Sequence, residues 1–331
     1  IGLAGLWLAA WLAAREVPVT ILHTADLHGR VATDRPEGGG LLRCAAAIRS
    51  ARSRDARALL VDVGDLFQGS AESFLSEGRV VAECVRALGY DALVPGNHEF
   101  DAGLDFLRRF YDQAGTPVLA ADLRNADGGP ALSGQAAFLF RDLDGVRVAI
   151  VGLSNPLIPL WSRPCLLGGV RVDPSLEALR RVMPEVRAGN PDILVLAVHQ
   201  GWRAGGDDAA NHIRGLAAAF PEFDLILGAH SHQAVAWKTV AGVAYSQAGS
   251  YGQCLGVARL VFDTETRRLV SKHLSLQDLP ADAPADDELA RLAAPGLAAA
   301  RRHLGVRIGA AAADLKAGSR WPGQSAVQNL I

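Results

Sequence analysis

Cysteine, one-sided charge and long apolar runs are all scarce in this chain. Four cysteines occur in 331 residues, Cys44, Cys84, Cys165 and Cys254. None stands in a CxxC pair, which argues against a zinc knuckle or a dithiol redox site. Their spacing neither forces nor forbids a disulfide. Cys84 lies in the apolar helical stretch VVAECVRALG and reads as core. Lys and Arg number 33 against 35 Asp and Glu, a net charge of -2. Without a basic excess, binding of nucleic acid through a charged surface is not indicated. The opening stretch IGLAGLWLAAWLAA carries no charge, but it is shorter than the roughly 20 residues that span a bilayer. It fits the apolar core of an export signal ending in small residues. Residues 1–16 are therefore expected to be a leader, no stable membrane span is expected, and the protein is expected in a periplasm or outside the cell. A buried or membrane-apposed helix is the alternative for this stretch.

What is abundant is hydrophobic side chain, 50 % of the chain. That suffices for one large core or two ordinary ones. From Val17 onward, short runs rich in Val, Ile and Leu alternate with helical patterns. VTILHT, ALLVDV, DALVP, VRVAIVGL, DILVLAVH and FDLILGAH read as buried strands. Leu41 to Ser53, Glu77 to Leu88, Leu104 to Tyr111, Pro174 to Arg187 and Ala209 to Phe220 read as helices. This order predicts an α/β domain with largely parallel sheet. AVAWKTV, VAYSQAG, LGVARLVFD and RLVSKHLSL then follow with short turns and read as antiparallel, so mixed sheets are expected. Near residue 280 the composition turns acidic and rich in Pro and Ala, which reads as a linker and a surface helix. The domain expected is 17–283, with 284–331 as linker helix and the start of a second unit.

In open α/β sheets, ligands gather at the carboxyl ends of strands. After VTILHT stand Asp26 and His28. After ALLVDV stands Asp65. After DALVP stand Asn97, His98 and Asp101. DILVLAV ends in His199, and FDLILGA in His230 and His232. A single histidine after a strand is ordinarily a hydrogen-bonded structural residue. A lone Asp shapes a turn, and a lone Asn caps a helix. Here five of the nine histidines fall at strand ends beside three Asp and one Asn. Imidazole, carboxylate and amide oxygen together suit Zn, Mn, Fe or Co better than Ca or Mg. Asp26, His28, Asp65, Asn97, His199, His230 and His232 make seven donors. That is too many for one ion but right for two that share a carboxylate.

DLHG, GDLF, GNHEFD, VHQG and GAHSH, in this order, resemble the calcineurin-like metallophosphoesterases. The longer phrases ILHTADLHGRV, GNHEFD and ILGAHSHQ are similar to their 5'-nucleotidase branch. The resemblance runs from about Val19 to the C-terminus. It implies two mixed β-sheets sandwiched between helices, a four-layer α/β/β/α fold. It also implies two divalent ions, one on Asp26, His28 and His232, the other on Asn97, His199 and His230, with Asp65 bridging. His98 is implied as the residue over the phosphate that assists the leaving oxygen, with Asp101 orienting its ring. Two dications would acidify a shared water, whose hydroxide would attack phosphorus in line. The substrate implied is a small phosphate ester or nucleotide, most closely a nucleoside 5'-monophosphate. A 2',3'-cyclic-nucleotide phosphodiesterase, a sulfur-ester hydrolase, and a metal-binding half that is silent without a C-terminal domain are the alternatives.

Two departures bear on that reading. Ala25 stands where many relatives carry Asn. The closing GQSAVQNLI is similar to the segment that opens the family's second domain, which in relatives supplies aromatic residues around the base. Other residues read as structural. His23, Asp62 and Asp224 are expected to serve hydrogen bonding in or beside strands. His212, His273 and His303 read as surface. Gly38 to Gly40 form either an anion-binding nest or a flexible turn. Trp7 and Trp11 lie in the leader, and the remaining tryptophans are assigned to core or surface.

Overall fold

The computed structural model describes residues 16–33 and 36–309. The leader assigned to 1–16 therefore lies outside the described residues, except for Glu16, which opens the first strand. So does the closing segment from 310 onward. Among the described residues, a seven-stranded sheet runs in the spatial order Arg268–Asp278, Cys254–Asp263, Glu16–Thr24, Leu59–Asp62, Ala92–Leu93, Val118–Leu119 and Gln135–Ala136. A six-stranded sheet runs Ala234–Val240, Val243–Ala248, Leu225–Gly228, Ile193–Val198, Val146–Leu153 and Phe138–Leu143. Both are mixed: the six-stranded sheet has a parallel centre and an antiparallel pair at each margin, while the seven-stranded one is antiparallel at one margin and parallel from Glu16–Thr24 to Gln135–Ala136. A third, two-stranded sheet pairs Leu123–Arg124 with Arg171–Val172.

The period of two along each strand explains why the two large sheets stack. In Ile193–Val198, Ile193, Val195 and Ala197 enter a core shared with Val17, Val19 and Ile21 of the other sheet. Leu194, Leu196 and Val198 turn the opposite way, onto Leu179, Met183 and Leu216 of the helices Ser175–Ala188 and Ile213–Ala219. Leu22 and Leu60 likewise face the helices Leu41–Arg54, Arg79–Leu88 and Leu104–Ala114. Strands apolar on both faces are what a doubly covered sheet requires. The result is the four-layer α/β/β/α order.

Several expectations change in detail. The four late strands do not form one antiparallel run. Ala234–Val240 and Val243–Ala248 join one sheet, while Cys254–Asp263 and Arg268–Asp278 join the other. DALVP shrinks to the two-residue strand Ala92–Leu93, and the last helix candidate to Ile213–Ala219. The helix expected at the surface after the linker, Asp287–Leu304, buries Leu289 and Ala293 in the core that holds Leu41 and Val80. Asp286 caps it, accepting from the Leu289 amide at 2.7 Å. Arg49 pairs with Asp286 at 2.7 Å. The four cysteines are all free thiols. Gly38, Gly39 and Gly40 have φ of 75°, 86° and 88°, a region closed to most side chains. The amides of Gly39 and Gly40 donate to the carbonyls of Leu279 and Tyr251, so two of the donors an anion nest would need are already spent. The turn reading holds.

Candidate metal centre

Five strands aim their carboxyl ends at one place. Glu16–Thr24, Leu59–Asp62 and Ala92–Leu93 are neighbours in the first sheet, and Ile193–Val198 and Leu225–Gly228 are neighbours in the second. The loops leaving them turn sharply. Asp26, His28, Asp65, His230 and His232 all have φ between 51° and 68°. Non-glycine residues rarely adopt this left-handed region, and side chains held there cluster at functional sites. Backbone bonds hold the turns: the Asp26 amide donates to the Gly64 carbonyl at 2.9 Å, and that of His28 to the Asp65 carbonyl at 2.8 Å.

The nine residues singled out in the sequence meet here. Asp26, His28 and His232 each bring a ligand atom to within 4.8 Å of the others, and Asp65, His199 and His230 do the same. His28 Nε2 lies 3.0 Å from His232 Nε2. Asp65 Oδ2 reaches both groups, 4.0 Å from His28 Nε2 and 3.2 Å from His199 Nε2. The outward nitrogens are aimed by the inward ones. His28 Nδ1 sits 3.1 Å from the Gln68 carbonyl, and His199 Nδ1 2.7 Å from that of Val63. The His230 amide donates to both Asp26 oxygens, at 3.1 and 3.0 Å. His98 belongs to neither group but adjoins both: its amide donates to Asp65 Oδ1 at 2.8 Å, its ring centroid lies 5.3 Å from that of His28, and its Nδ1 lies 2.7 Å from Asp101 Oδ2.

The donor set fits divalent ions on two counts. Asn97 Oδ1 and His199 Nε2 are buried and make no hydrogen bond, although His199 Nε2 lies near Asp65. Buried polar atoms left unpaired are costly unless something else engages them. Second, burial keeps His28 and His230 near pKa 4, so both rings are neutral at physiological pH, the form that binds metal. Burial also drives the Asp26 carboxyl upward. Asp65 feels the same burial, but the charge and hydrogen bond of His199, together with the charges of His98 and His28, outweigh it and hold its carboxyl well below the usual range. His199 is raised in return: burial lowers it and the Asp65 carboxylate more than compensates.

The family model for calcineurin-like phosphoesterases matches residues 19–234. The chain belongs to the calcineurin-like phosphoesterase family. It is 28 % identical over 291 residues to a 2',3'-cyclic-nucleotide 2'-phosphodiesterase/3'-nucleotidase of Yersinia enterocolitica, covering 76 % of this chain and 44 % of that protein. It is 30 % identical over 234 residues to a 5'-nucleotidase of Vibrio cholerae, covering 68 % of this chain and 42 % of that protein. The chain thus spans less than half the length of these curated relatives. The crystal structure of the calcineurin-like phosphoesterase YfkN from Bacillus subtilis shares the fold, with a TM-score of 0.78 at 22 % identity over 88 % of this chain and all of that one.

Within this family member, sequence reasoning missed two residues. Glu99, inside GNHEFD, points inward rather than at the site. Its two oxygens accept from the amides of Gly96 at 2.6 Å, Leu66 at 2.7 Å and Asp65 at 2.8 Å. One buried carboxylate thereby ties the Asp65 loop to the Asn97 loop. Its burial raises its pKa to about 7. A Glu directly after His98 was a visible signal, but nothing in the sequence showed which way it turns. Trp161, assigned to core or surface, stacks on His230 with ring centroids 5.2 Å apart and planes 24° from parallel. The residues set aside hold structural places. Asp62 accepts from Thr24 Oγ1 at 2.6 Å, Asp224 from the Leu194 amide at 3.0 Å, and His23 Nε2 lies 3.2 Å from Ser246 Oγ.

Proposed function

We propose that this chain carries the catalytic unit of an exported two-metal phosphoesterase that releases phosphate from nucleoside 5'-monophosphates. The observation that carries the reading is the pair of three-donor groups, Asp26–His28–His232 and Asp65–His199–His230, beside a His98–Asp101 pair at 2.7 Å. In this reading Asp26, His28 and His232 hold one ion, Asn97, His199 and His230 hold the other, and Asp65 bridges them. Mn, Zn, Fe and Co all suit these donors. Two bound dications supply Lewis acidity to the phosphoryl group and lower the pKa of a water.

The chain's own residues do the rest. Val63 and Gln68 fix which ring nitrogen of His199 and His28 faces the site. Asp101 orients His98 and, through their hydrogen bond, raises its pKa above the ordinary histidine value. His98 therefore holds its proton to a higher pH than an ordinary histidine, and in this reading delivers it to the leaving oxygen. We assign the catalytic unit to residues 17–283, with 1–16 as leader and 284–331 as the connection to a further domain, although the helix Asp287–Leu304 of that connection packs into the unit's own core. No helix among the described residues is long and apolar enough to cross a membrane.

Hydrolysis of a 5'-mononucleotide and of a 2',3'-cyclic nucleotide, measured side by side with manganese-loaded protein, tests the reading. Faster release from the monoester is expected. Preference for the cyclic diester would favour the second reading, which the Yersinia relative supports by matching more of this chain than the Vibrio one does. His98→Ala should lower turnover roughly 10²- to 10⁴-fold, the usual weight of acid–base help, while metal content stays the same. Loss of metal from that variant would show that His98 is a ligand instead.

A further inference from the structure

The site wall beside His230 is built by a short segment that no catalytic role explains. After the strand Val146–Leu153 the chain runs through Asn155 to the single-turn helix Ile158–Trp161. Asn155 locks this segment to the metal-site strand: its Nδ2 donates to the His199 and Ala210 carbonyls, both at 3.1 Å, and its Oδ1 accepts from the Leu157 amide at 3.0 Å. Ile158 is fully buried in the core and anchors the turn. The segment is thus held from both ends, and what it presents is Trp161.

One part of the indole stacks on His230, yet 47 % of Trp161 is exposed, beside Leu160 at 77 %. Isolated exposed hydrophobics are common and decide nothing. Position is what distinguishes this one. The indole lies nearly parallel to the imidazole of a metal-site histidine, so His230 covers part of one indole face and the rest of the ring stands open at the edge of that cluster. A flat, rigid, apolar surface at the rim of an otherwise polar site suits a planar aromatic ring, because such a ring buries area there and needs no hydrogen-bond partner.

We propose that Trp161 is a specificity-determining residue, a stacking platform for an aromatic ring in the alcohol part of the ester, whether a nucleobase or an aryl group. This rests on the phosphoesterase reading above. Stacking of this kind persists from bound substrate to transition state, so it acts through KM rather than kcat.

The test compares adenosine 5'-monophosphate, 4-nitrophenyl phosphate and glycerol 2-phosphate, using the full chain loaded with manganese and its Trp161→Ala and Trp161→Phe variants. The expected result is that Trp161→Ala lowers the kcat/KM ratio of a ring-bearing ester to glycerol 2-phosphate roughly 10-fold, through KM, as base–aromatic stacking energies imply. Trp161→Phe should recover part of it. Which of the two ring-bearing esters responds reports how far from phosphorus the ring lies. An equal fall in kcat for all three esters, accompanied by metal loss, would overturn the platform and make Trp161 a support for His230. Unchanged ratios would overturn it as well. If the wild type hydrolyses none of the three, the phosphoesterase reading itself fails. Binding of adenosine to the metal-free protein then decides: weaker binding by Trp161→Ala supports the platform, and no binding, or equal binding, rejects it.

Discussion

The two donor groups share their chemistry but not their enclosure. The inner group holds Asp65 and His199, both fully buried, and its His230 is roofed by Trp161. Next to it lies the buried, unpaired oxygen of Asn97. The outer group also has a fully buried carboxylate, Asp26, but it ends in His232, whose side chain is 37 % exposed beside Tyr251. The inner group is therefore the more enclosed of the two: its least buried donor, His230, is half-buried, whereas His232 of the outer group is exposed to water. Preorganised, desolvated donors bind more tightly because less is reordered on binding. The account thus predicts an inner site that keeps its ion longer than the outer one.

The shared carboxylate is where this comparison breaks down most completely. Asp65→Ala should abolish occupancy of both sites and reduce turnover to background, read by metal analysis and phosphate release together. An enzyme still holding one full ion would mean Asp65 belongs to a single group. Next in size, His199→Ala should weaken the inner ion by at least roughly 100-fold, beyond the 10- to 100-fold typical of a supporting residue. His232→Ala should weaken the outer ion by only about 10-fold, since water can replace an exposed donor. Chelator titrations of the two variants measure this, and equal losses would erase the distinction.

Glu99→Gln addresses how the inner group is held. Both Glu99 oxygens accept backbone N–H groups, so either orientation of the amide sets an NH₂ against an N–H. Metal affinity should fall roughly 10-fold, with near-wild-type circular dichroism. Unaltered affinity would mean the loops keep their places without this carboxylate.

The smallest effect concerns pH. Asp101 raises the pKa of His98, so the proton His98 donates is retained above the ordinary value near 6.5 and lost as pH climbs through the raised one. Activity should therefore fall on the alkaline side, and Asp101→Asn should move that limb to lower pH. A limb that stays put would remove Asp101 from the role of orienting and charging His98.

Much of this was legible in the sequence, for physical reasons. Apolar runs of the right length announced the strands, and polar residues just beyond five of them announced the site. Parallel strands in a mixed sheet deliver their ends to one edge, so the placing of Asp26, Asp65 and Asn97 along one sheet and of His199 and His230 along another could be read from order, but not that the two edges meet. What stayed hidden depends on direction and partnership. A period of two says which face a residue takes but not which strand lies alongside, so the late strands were expected in one antiparallel run rather than divided between sheets. Glu99 and His98 are adjacent yet face different ways because both lie on one 3₁₀ turn, His98–Phe100, where three residues complete a turn and consecutive side chains diverge. The left-handed backbone at Asp26, His28, Asp65, His230 and His232 left no mark in residue type, since glycine, the usual sign, is absent from those positions. Helix Asp287–Leu304 read as surface because its buried face is largely alanine, which gives little hydrophobic contrast.

The central claim is that these donors hold two ions close enough to act on one phosphoryl group. The most direct measurement is electron paramagnetic resonance of the metal-stripped 331-residue chain as manganese is added. The account predicts two ions per chain with the spectrum of an exchange-coupled pair, as expected for a separation near 3.5–4 Å. A single bound ion, or two magnetically isolated ones, would contradict it.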